Sequence, residues 1–325
     1  PGRPANGLMQ RASDGGRTGL KAGDLTDAAA STGSATLETM ATATAEATTL
    51  QGAQRSNNTD RGGVGTIGGQ VDFNGSAASS NVTGNADATG SLASLAQGLS
   101  TGIDADTSEF GTAISSDGTV QGFANTSLTA SAGTTQGGAD ANATGGADID
   151  GAVLGDLSIG GVGTVTGSAN FAASADAANV TAGELSEGNL STADAEAASV
   201  DGLDLLAESN GLKVSSDAGI QGLASIDLAA TAASTGALDA KTKAWAAASA
   251  NELQGAELNS LTDIGGVGSV AGSTDLSSSA AASNVTGGAV ATGKLTRAEG
   301  LDLDATLNIA SDASISGIAG INSSA

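Results

Sequence analysis

The side chains that could do chemistry in this chain are almost all carboxylates. The sequence has no His, Cys or Tyr, which excludes nucleophile–base pairs of the Ser-His and Cys-His types and indicates that the protein is not an enzyme. Two acidic pairs, Asp148 with Asp150 and Asp302 with Asp304, offer the hard oxygen ligands that calcium prefers. Neither pair lies in a complete calcium-binding loop. We therefore expect no cofactor, with structural calcium at these four residues as the one metal to consider.

Asparagine is the second residue type that could undergo chemistry, because Asn-x-Ser/Thr triplets recur along the chain. In an exported protein from a glycosylating source, such triplets are acceptors for N-linked sugar. Three of them occupy equivalent repeat positions, so the alternative is that polar turn triplets recur because the repeat recurs. The glycosylation candidates are Asn81, Asn179, Asn284, Asn125 and Asn142.

These residues sit in a chain that repeats itself at an ungapped offset of 203 residues. Leu-Gln-Gly-Ala at residues 50–53 recurs at 253–256, and Gly-Gly-Val-Gly at 62–65 recurs at 265–268. A chain that reuses one unit usually builds an extended structure instead of a unique pocket.

A shorter repeat of about 50 residues, in two alternating flavours, lies within the long one. The first flavour carries Gly-Gly-Val-Gly at residues 62, 160 and 265. The second carries Ser-Ser-Asp or a relative at residues 115, 215 and 311. Each motif is followed by apolar residues with period two, which predicts a strand. Five residues rich in Gly, Ser and Asp precede this strand, and they are predicted to form a turn that joins it to another strand.

Two further features of each half-repeat need interpretation. A glycine always follows two residues after the first apolar anchor of the strand, which indicates either a β-bulge or the close approach of another backbone. These glycines are Gly69, Gly122, Gly167, Gly222, Gly272 and Gly317. A looser Ala/Ser/Thr tract completes each half-repeat, and its copy at residues 237–250 has enough Ala to suggest a short helix.

The predicted fold class is all-β: an elongated repeat β-solenoid or stacked β-sheet built from half-repeats of about 50 residues in two alternating flavours. Disorder is the other interpretation of a chain rich in Gly, Ser and Ala, and the regular apolar positions argue against it. The expected organisation is a divergent, Arg-bearing N-terminal half-repeat at 1–61 as an assembly head, repeat 1 at 62–158, repeat 2 at 159–262, and a truncated repeat 3 at 263–325.

Charge is distributed unevenly over these units. The net charge is −24, yet residues 1–61 hold six basic and six acidic residues, and residues 62–212 hold no basic residue and eighteen acids. The acidic body should repel nucleic acid. No apolar stretch approaches the 18 residues of a membrane span, so we expect none.

The two ends of the repeat differ, and neither shows an obvious polar cap. Arg17 stands where the later copy has its apolar anchor Ile220, and the last copy stops within a unit. Uncapped sheet edges invite strand addition, and a contact that does not close gives a filament. The partners expected are therefore copies of the same chain. The residues expected to take part in assembly are Arg3, Arg11, Arg17, Ile315, Ile318 and Ile321.

Together these features predict a non-enzymatic structural subunit of an extracellular filament, sheath or surface fibre, located outside the cell or on its surface and assembling head-to-tail by strand addition. The alternative is the repeat stalk of an adhesin or phage-type fibre, whose binding tip lies elsewhere. A calcium-dependent or ice-binding β-solenoid module is the third hypothesis.

Overall fold

A computed structural model describes residues 18–21, 25–31, 39–55, 59–101, 112–180, 190–206, 211–235, 243–284, 288–304 and 306–325. Nearly all of these residues are in β-strands, as the period-two apolar pattern predicts. In chain order the strands are β1 (Thr18–Lys21), β2 (Leu25–Ser31), β3 (Thr39–Arg55), β4 (Thr59–Arg61), β5 (Gly65–Thr101), β6 (Thr112–Ile114), β7 (Gly118–Gln136), β8 (Ala139–Leu154), β9 (Leu157–Ile159), β10 (Gly163–Val180), β11 (Leu190–Leu205), β12 (Leu212–Val214), β13 (Ala218–Thr235), β14 (Lys243–Leu258), β15 (Thr262–Ile264), β16 (Gly268–Asn284), β17 (Gly288–Leu303), β18 (Leu307–Ile309) and β19 (Ala313–Ser324).

The chain winds through three parallel sheets, which we call A, B and C. One coil consists of a short strand in sheet C, a tight turn, a long strand in sheet A, a corner, and a long strand in sheet B. The coil of β9, β10 and β11 pairs in parallel with the next coil of β12, β13 and β14. The predicted all-β stacked fold is confirmed, and the unit that stacks is the half-repeat of about 50 residues.

Each complete coil contributes one strand, or one half of β5, to each sheet. Sheet A runs from β1 and β2 through β5, β7, β10, β13 and β16 to β19, and sheet C runs from β4 through β6, β9, β12 and β15 to β18. Sheet B runs from β3 through β5, β8, β11 and β14 to β17. The long strand β5 belongs to both large sheets, because its first half pairs in sheet A and its second half in sheet B.

Coil length varies while the register holds. Gly118 pairs with Gly163, 45 residues later, and Gly163 pairs with Ala218, 55 residues later. The offset of 203 residues between Gly65 and Gly268 spans four coils, as the pairings through sheet A show. The two flavours therefore alternate from one coil to the next, and every internal turn of one flavour lies against turns of the other.

The glycine after each anchor brings two backbones together instead of forming a bulge. A Cβ on Gly167 in sheet A would lie 2.7 Å from the carbonyl carbon of Gly202 in sheet B and closer still to its oxygen. The same contact recurs in the coils on either side and gives a ladder of facing glycines through the molecule. The facing pairs are Gly69 with Gly98, Gly122 with Gly151, Gly167 with Gly202, Gly222 with Gly255, and Gly272 with Gly300.

This glycine ladder divides the interior into two apolar cores. The main core lies between sheets A and B and includes Val71, Phe73, Leu92, Ile149, Phe171, Ile226 and Leu276. The corner core lies where sheet C meets the start of sheet A and the end of sheet B, and includes Ile67, Leu99, Ile114, Leu154, Ile159, Val214 and Leu258. Each strand of sheet B shifts its inward-facing positions by one residue at its glycine. Val200 thus enters the main core and Leu203 the corner core on either side of Gly202.

The interpretation of residues 237–250 as a short helix is wrong where the structure describes them. Lys243–Leu258 is a strand of sheet B, and Ala244, Ala246, Ala248 and Ala250 point into the main core from alternate positions. Alanine favours a helix in isolation, but here its small side chain lets the two sheets pack closely, and tertiary packing overrides propensity. The other Ala/Ser/Thr tracts are sheet B strands for the same reason.

The predicted five-residue turns are present, and the strands that each turn joins lie in different sheets. Ile159 ends a strand of sheet C and Gly163 begins one of sheet A. The turn is therefore a corner of the coil, and its backbone bonds go to the neighbouring coils. The Gly160 N–H donates to the Ile114 carbonyl at 2.7 Å, and the Ser215 N–H donates to the Ile159 carbonyl at 2.9 Å.

Candidate assembly surface

The three sheets end at two open faces of the solenoid. At one face the edge strands are β17, β18 and β19, and at the other they are β1 with β2, β3 and β4. None of these edge strands has a partner on its far side among the described residues. Parallel edges with free N–H and C=O groups are templates for a further strand.

The apolar columns of both cores run out to the face formed by β19. Ile315 is 51% exposed and Ile321 is 57% exposed, although their partners in the previous coil, Val270 and Leu276, are fully buried. Ile318 is also exposed, but alternation places it on the outer face of sheet A, beside Ser273. Two of the three isoleucines expected to take part in assembly therefore end internal columns, and the third lies on the outside wall.

Contacts between the two turn flavours explain why they alternate. The Asp117 carboxylate accepts a hydrogen bond from the Val162 N–H at 2.8 Å, and the Asp217 carboxylate accepts one from the Val267 N–H at 2.8 Å. The glycine before each valine lies against the same aspartate. A Cβ on Gly161 would come within 2.8 Å of the Asp117 N atom. A Ser-Ser-Asp turn is therefore complementary to the Gly-Gly-Val-Gly turn of the next coil.

Among the described residues, one turn at each face lacks this contact on its outward side. The Gly62-Gly63-Val64 turn lies against the Ser115–Asp117 turn of the following coil, where the Gly63 N–H donates to Ser115 Oγ at 2.8 Å. On its other side no described Ser-Ser-Asp turn faces it, and a Cβ on Gly62 or Gly63 would meet nothing within 4 Å. Val64 is 76% exposed, whereas Val162 and Val267 are 47% and 46% exposed. At the other face Asp312 is exposed and lies in register with the turn of the previous coil, since its carbonyl accepts from the Gly268 N–H at 2.9 Å.

A buried acidic group lies on the side of sheet B opposite the cores. Burial, together with the neighbouring Asp201 carboxyl, raises the pKa of Asp150 to about 8. Burial likewise raises the pKa of Asp201 to about 7 and that of Asp204 to about 7. Gln97 donates to the Asp150 carboxyl at 3.3 Å. These carboxyls therefore retain protons near neutral pH, because stacked strands bring like charges together out of water.

The acidic stack ends at Arg297. Its guanidinium forms ion pairs with Glu252 and Glu299 at 2.7 Å and with Asp302 at 3.0 Å. Hydrogen bonding to Arg297 lowers the pKa of Glu299. One cation thus compensates the outermost carboxylates near the open face. The sequence alone did not bring these residues together, since they come from two coils.

The four calcium candidates do not form one site. Asp148 lies in register with Ser199 and Asp302 with Glu257, so the two pairs are separated by three strand spacings, about 14 Å. Asp150 is buried and Asp304 is exposed. In the described part of the chain, no three acidic side chains come close enough together to hold a metal ion. Calcium binding by either pair remains a prediction.

The equivalent asparagines Asn81 and Asn179 are buried at the corner between sheets A and B. The Asn81 side-chain amide donates to the Asn85 carbonyl at 2.8 Å, and the Asn179 amide donates to the Gly137 carbonyl. Asn284 occupies the same register position and is half-buried. In the folded chain the Asn81 and Asn179 amides bond backbone groups of the corner. A glycan at Asn81 or Asn179 would have to be attached before folding.

Asn125 belongs to a ladder of side chains on the outer face of sheet A. It donates to Asp72 at 2.9 Å and accepts from Asn170 at 2.7 Å, and Asn170 accepts from Ser225 at 2.5 Å. Sequence reasoning missed this ladder, although polar residues at equivalent repeat positions were the available signal. Asn142 lies half-buried on β8, and its glycosylation remains a prediction.

The remaining assembly candidates, Arg3, Arg11 and Arg17, lie outside the described residues. Among the residues that the structure does describe, there is no helix with the length and hydrophobicity that a membrane span requires. No protein-family model, curated protein or solved structure matches the chain. Its function is therefore inferred from the geometry of its coils.

Proposed function

We propose that this chain is a non-enzymatic structural subunit of an extracellular filament, sheath or surface fibre, and that copies stack head-to-tail by parallel strand addition. The observation that best supports this proposal is the open face at β18 and β19. There the apolar columns through Ile315 and Ile321 are exposed in line with buried partners, beside sheet edges that can bond a further strand.

The dimensions of a coil support growth along the stacking axis. An 18-residue strand such as β10 spans about 60 Å, while neighbouring coils lie about 4.8 Å apart. Length along the axis therefore depends on the number of coils. Because the two open faces lie at opposite ends of the stack, a contact between them repeats without closing and gives a filament.

The test is the assembly state of the full chain at high concentration, followed by sedimentation and by negative-stain electron microscopy. We expect filaments in which adjacent copies stack along one axis. Ile315→Lys and Ile321→Lys should reduce assembly at least tenfold, because each places a charge in an apolar column that the next copy would cover.

Ile318→Lys is the matched control, because Ile318 lies on the same strand but faces outward. This variant should assemble like the parent, and circular dichroism should show that all three variants keep their strands. A parent chain that stays monomeric at high concentration would refute self-assembly. The stalk of a larger fibre, which needs no self-association, would then be the better explanation.

A further inference from the structure

We propose that residues 307–324 of one copy complete the first coil of a second copy, where they take the place of β1 and β2 beside β5 while β3 stays in place. This inference rests on the proposed function and specifies its register. Among the described residues, the last coil has strands in sheets C and A (β18 and β19), and the first coil has strands in sheets A and B (β1 with β2, and β3). Together β18, β19 and β3 supply all three sheets of one coil.

The turns match across this contact. With Asp312 in the position of Asp117, its carboxylate would accept from the Val64 N–H of the second copy, as Asp117 does from Val162. The Gly62 N–H would donate to the Ile309 carbonyl, as Gly160 does to Ile114. The outward sides of these two turns, which have no such partner among the described residues, would meet one another, and the flavours would continue to alternate.

The glycine ladder matches as well. In a complete coil the ladder glycine of sheet A faces a glycine of sheet B, but at Gly317, the last sheet A position of the ladder, an added Cβ would lie closest to atoms of Leu301. Gly52 in β3 holds the corresponding sheet B position, and Thr18 of β1 stands beside Gly69 where other coils place a glycine. Replacing β1 by β19 would set Gly317 opposite Gly52.

The apolar columns and strand lengths favour the same exchange. In the proposed register Ile315 would stand beside Ile67 and Ile321 beside Phe73, in the columns that hold Val120 and Thr126 on the far side. The strands β1 and β2 have four and seven residues, whereas β19 has twelve and β18 adds three in sheet C. The incoming segment thus offers at least as much pairing as the strands that it displaces.

A reversible staple tests whether β2 must leave. Ala28 and Ala78 are exposed neighbours in register on β2 and β5, at a spacing that suits a disulfide. The chain has no Cys, so Ala28→Cys with Ala78→Cys gives one defined bond. We expect the oxidised protein to remain monomeric and the reduced protein to assemble like the parent.

The control staple is Ala78→Cys with Ser131→Cys, which joins β5 to β7 and leaves β2 free. It should assemble in both redox states. If the oxidised Ala28/Ala78 staple assembles as well as the control, the exchange is wrong although self-assembly stands. If no protein assembles even when reduced, the proposed function fails with it.

A second measurement reads the register directly. Val64→Cys protein mixed with Asp312→Cys protein should form a disulfide-linked heterodimer under mild oxidation. Val162→Cys mixed with Asp312→Cys should not, because the turn of Val162 already holds Asp117. Filaments that give no Val64–Asp312 cross-link would overturn this register and leave stacking on an intact first coil as the explanation.

Discussion

The glycine ladder makes the sharpest prediction about stability. In Gly167→Ala the new Cβ would lie 2.7 Å from the Gly202 carbonyl carbon and 2.9 Å from the Leu203 Cα, where carbon atoms normally keep about 3.5 Å or more. All of these are backbone atoms of the facing strand, so no rotamer change relieves the overlap. Sheets A and B must separate locally by about 1 Å.

That separation disturbs both cores, since the ladder lies between them. We expect Gly167→Ala to lower the free energy of unfolding by about 3 kcal/mol, at the upper end of the range for overpacking. Ala also lowers the conformational entropy of the unfolded chain, but this effect raises the free energy of unfolding by less than about 1 kcal/mol. The measurement is the midpoint of denaturant unfolding followed by circular dichroism.

Gly219→Ala is the matched control in the neighbouring strand β13, because a Cβ there meets nothing within 4 Å. It should be neutral or stabilising by up to about 1 kcal/mol. Gly133→Ala, also in open space, provides a second control. Equal midpoints for Gly167→Ala and Gly219→Ala would refute the conclusion that close backbone approach requires the glycine.

Three further predictions concern charge. Because the pKa values of Asp150, Asp201 and Asp204 are raised to about 8, 7 and 7, the folded state holds protons that the unfolded chain loses near pH 4. Stability should therefore fall between about pH 4 and 8, by about 1.4 kcal/mol for each pKa unit, and a flat or rising profile in denaturant titrations would contradict this. Asp217→Ala removes the bond to the Val267 N–H and should cost about 1 kcal/mol, whereas Asp227→Ala, exposed on the same coil, should cost almost nothing in the same assay. Each copy carries a net charge of −24, so copies repel one another at low ionic strength. Raising the ionic strength from about 0.01 to 0.15 M shortens the screening length from about 30 to 8 Å, and light scattering should then show faster assembly. Slower assembly in salt would point to attraction between charged faces instead.

The strands and their stacking were predictable from sequence because both signals repeat. Period-two alternation in segments such as β10 indicates one buried face, and copies of the same anchor and glycine at similar spacing indicate that successive strands lie side by side. Ile315 and Ile321 lie at the exposed ends of apolar columns, and their part in assembly remains a prediction.

Contacts between elements remote in sequence were not predictable. The same glycine pattern suits a bulge or a close approach, and only the facing of Gly167 with Gly202 decides between them. Residues 243–258 contain many alanines, and only their packing against sheet A makes them a strand. The raised pKa of Asp150 likewise depends on stacked neighbours from other coils.

The sequence by itself determined that this protein is an acidic all-β repeat with two alternating units, because alternation and repetition are local properties of the chain. Only the tertiary structure showed how the alternation of the two turn types contributes to stacking. Neighbouring coils differ in length, so the strand register across the sheets determines which turns come into contact. There an aspartate of one flavour caps the glycine turn of the next. Such a contact joins residues about 50 positions apart, and no local pattern in the chain encodes it.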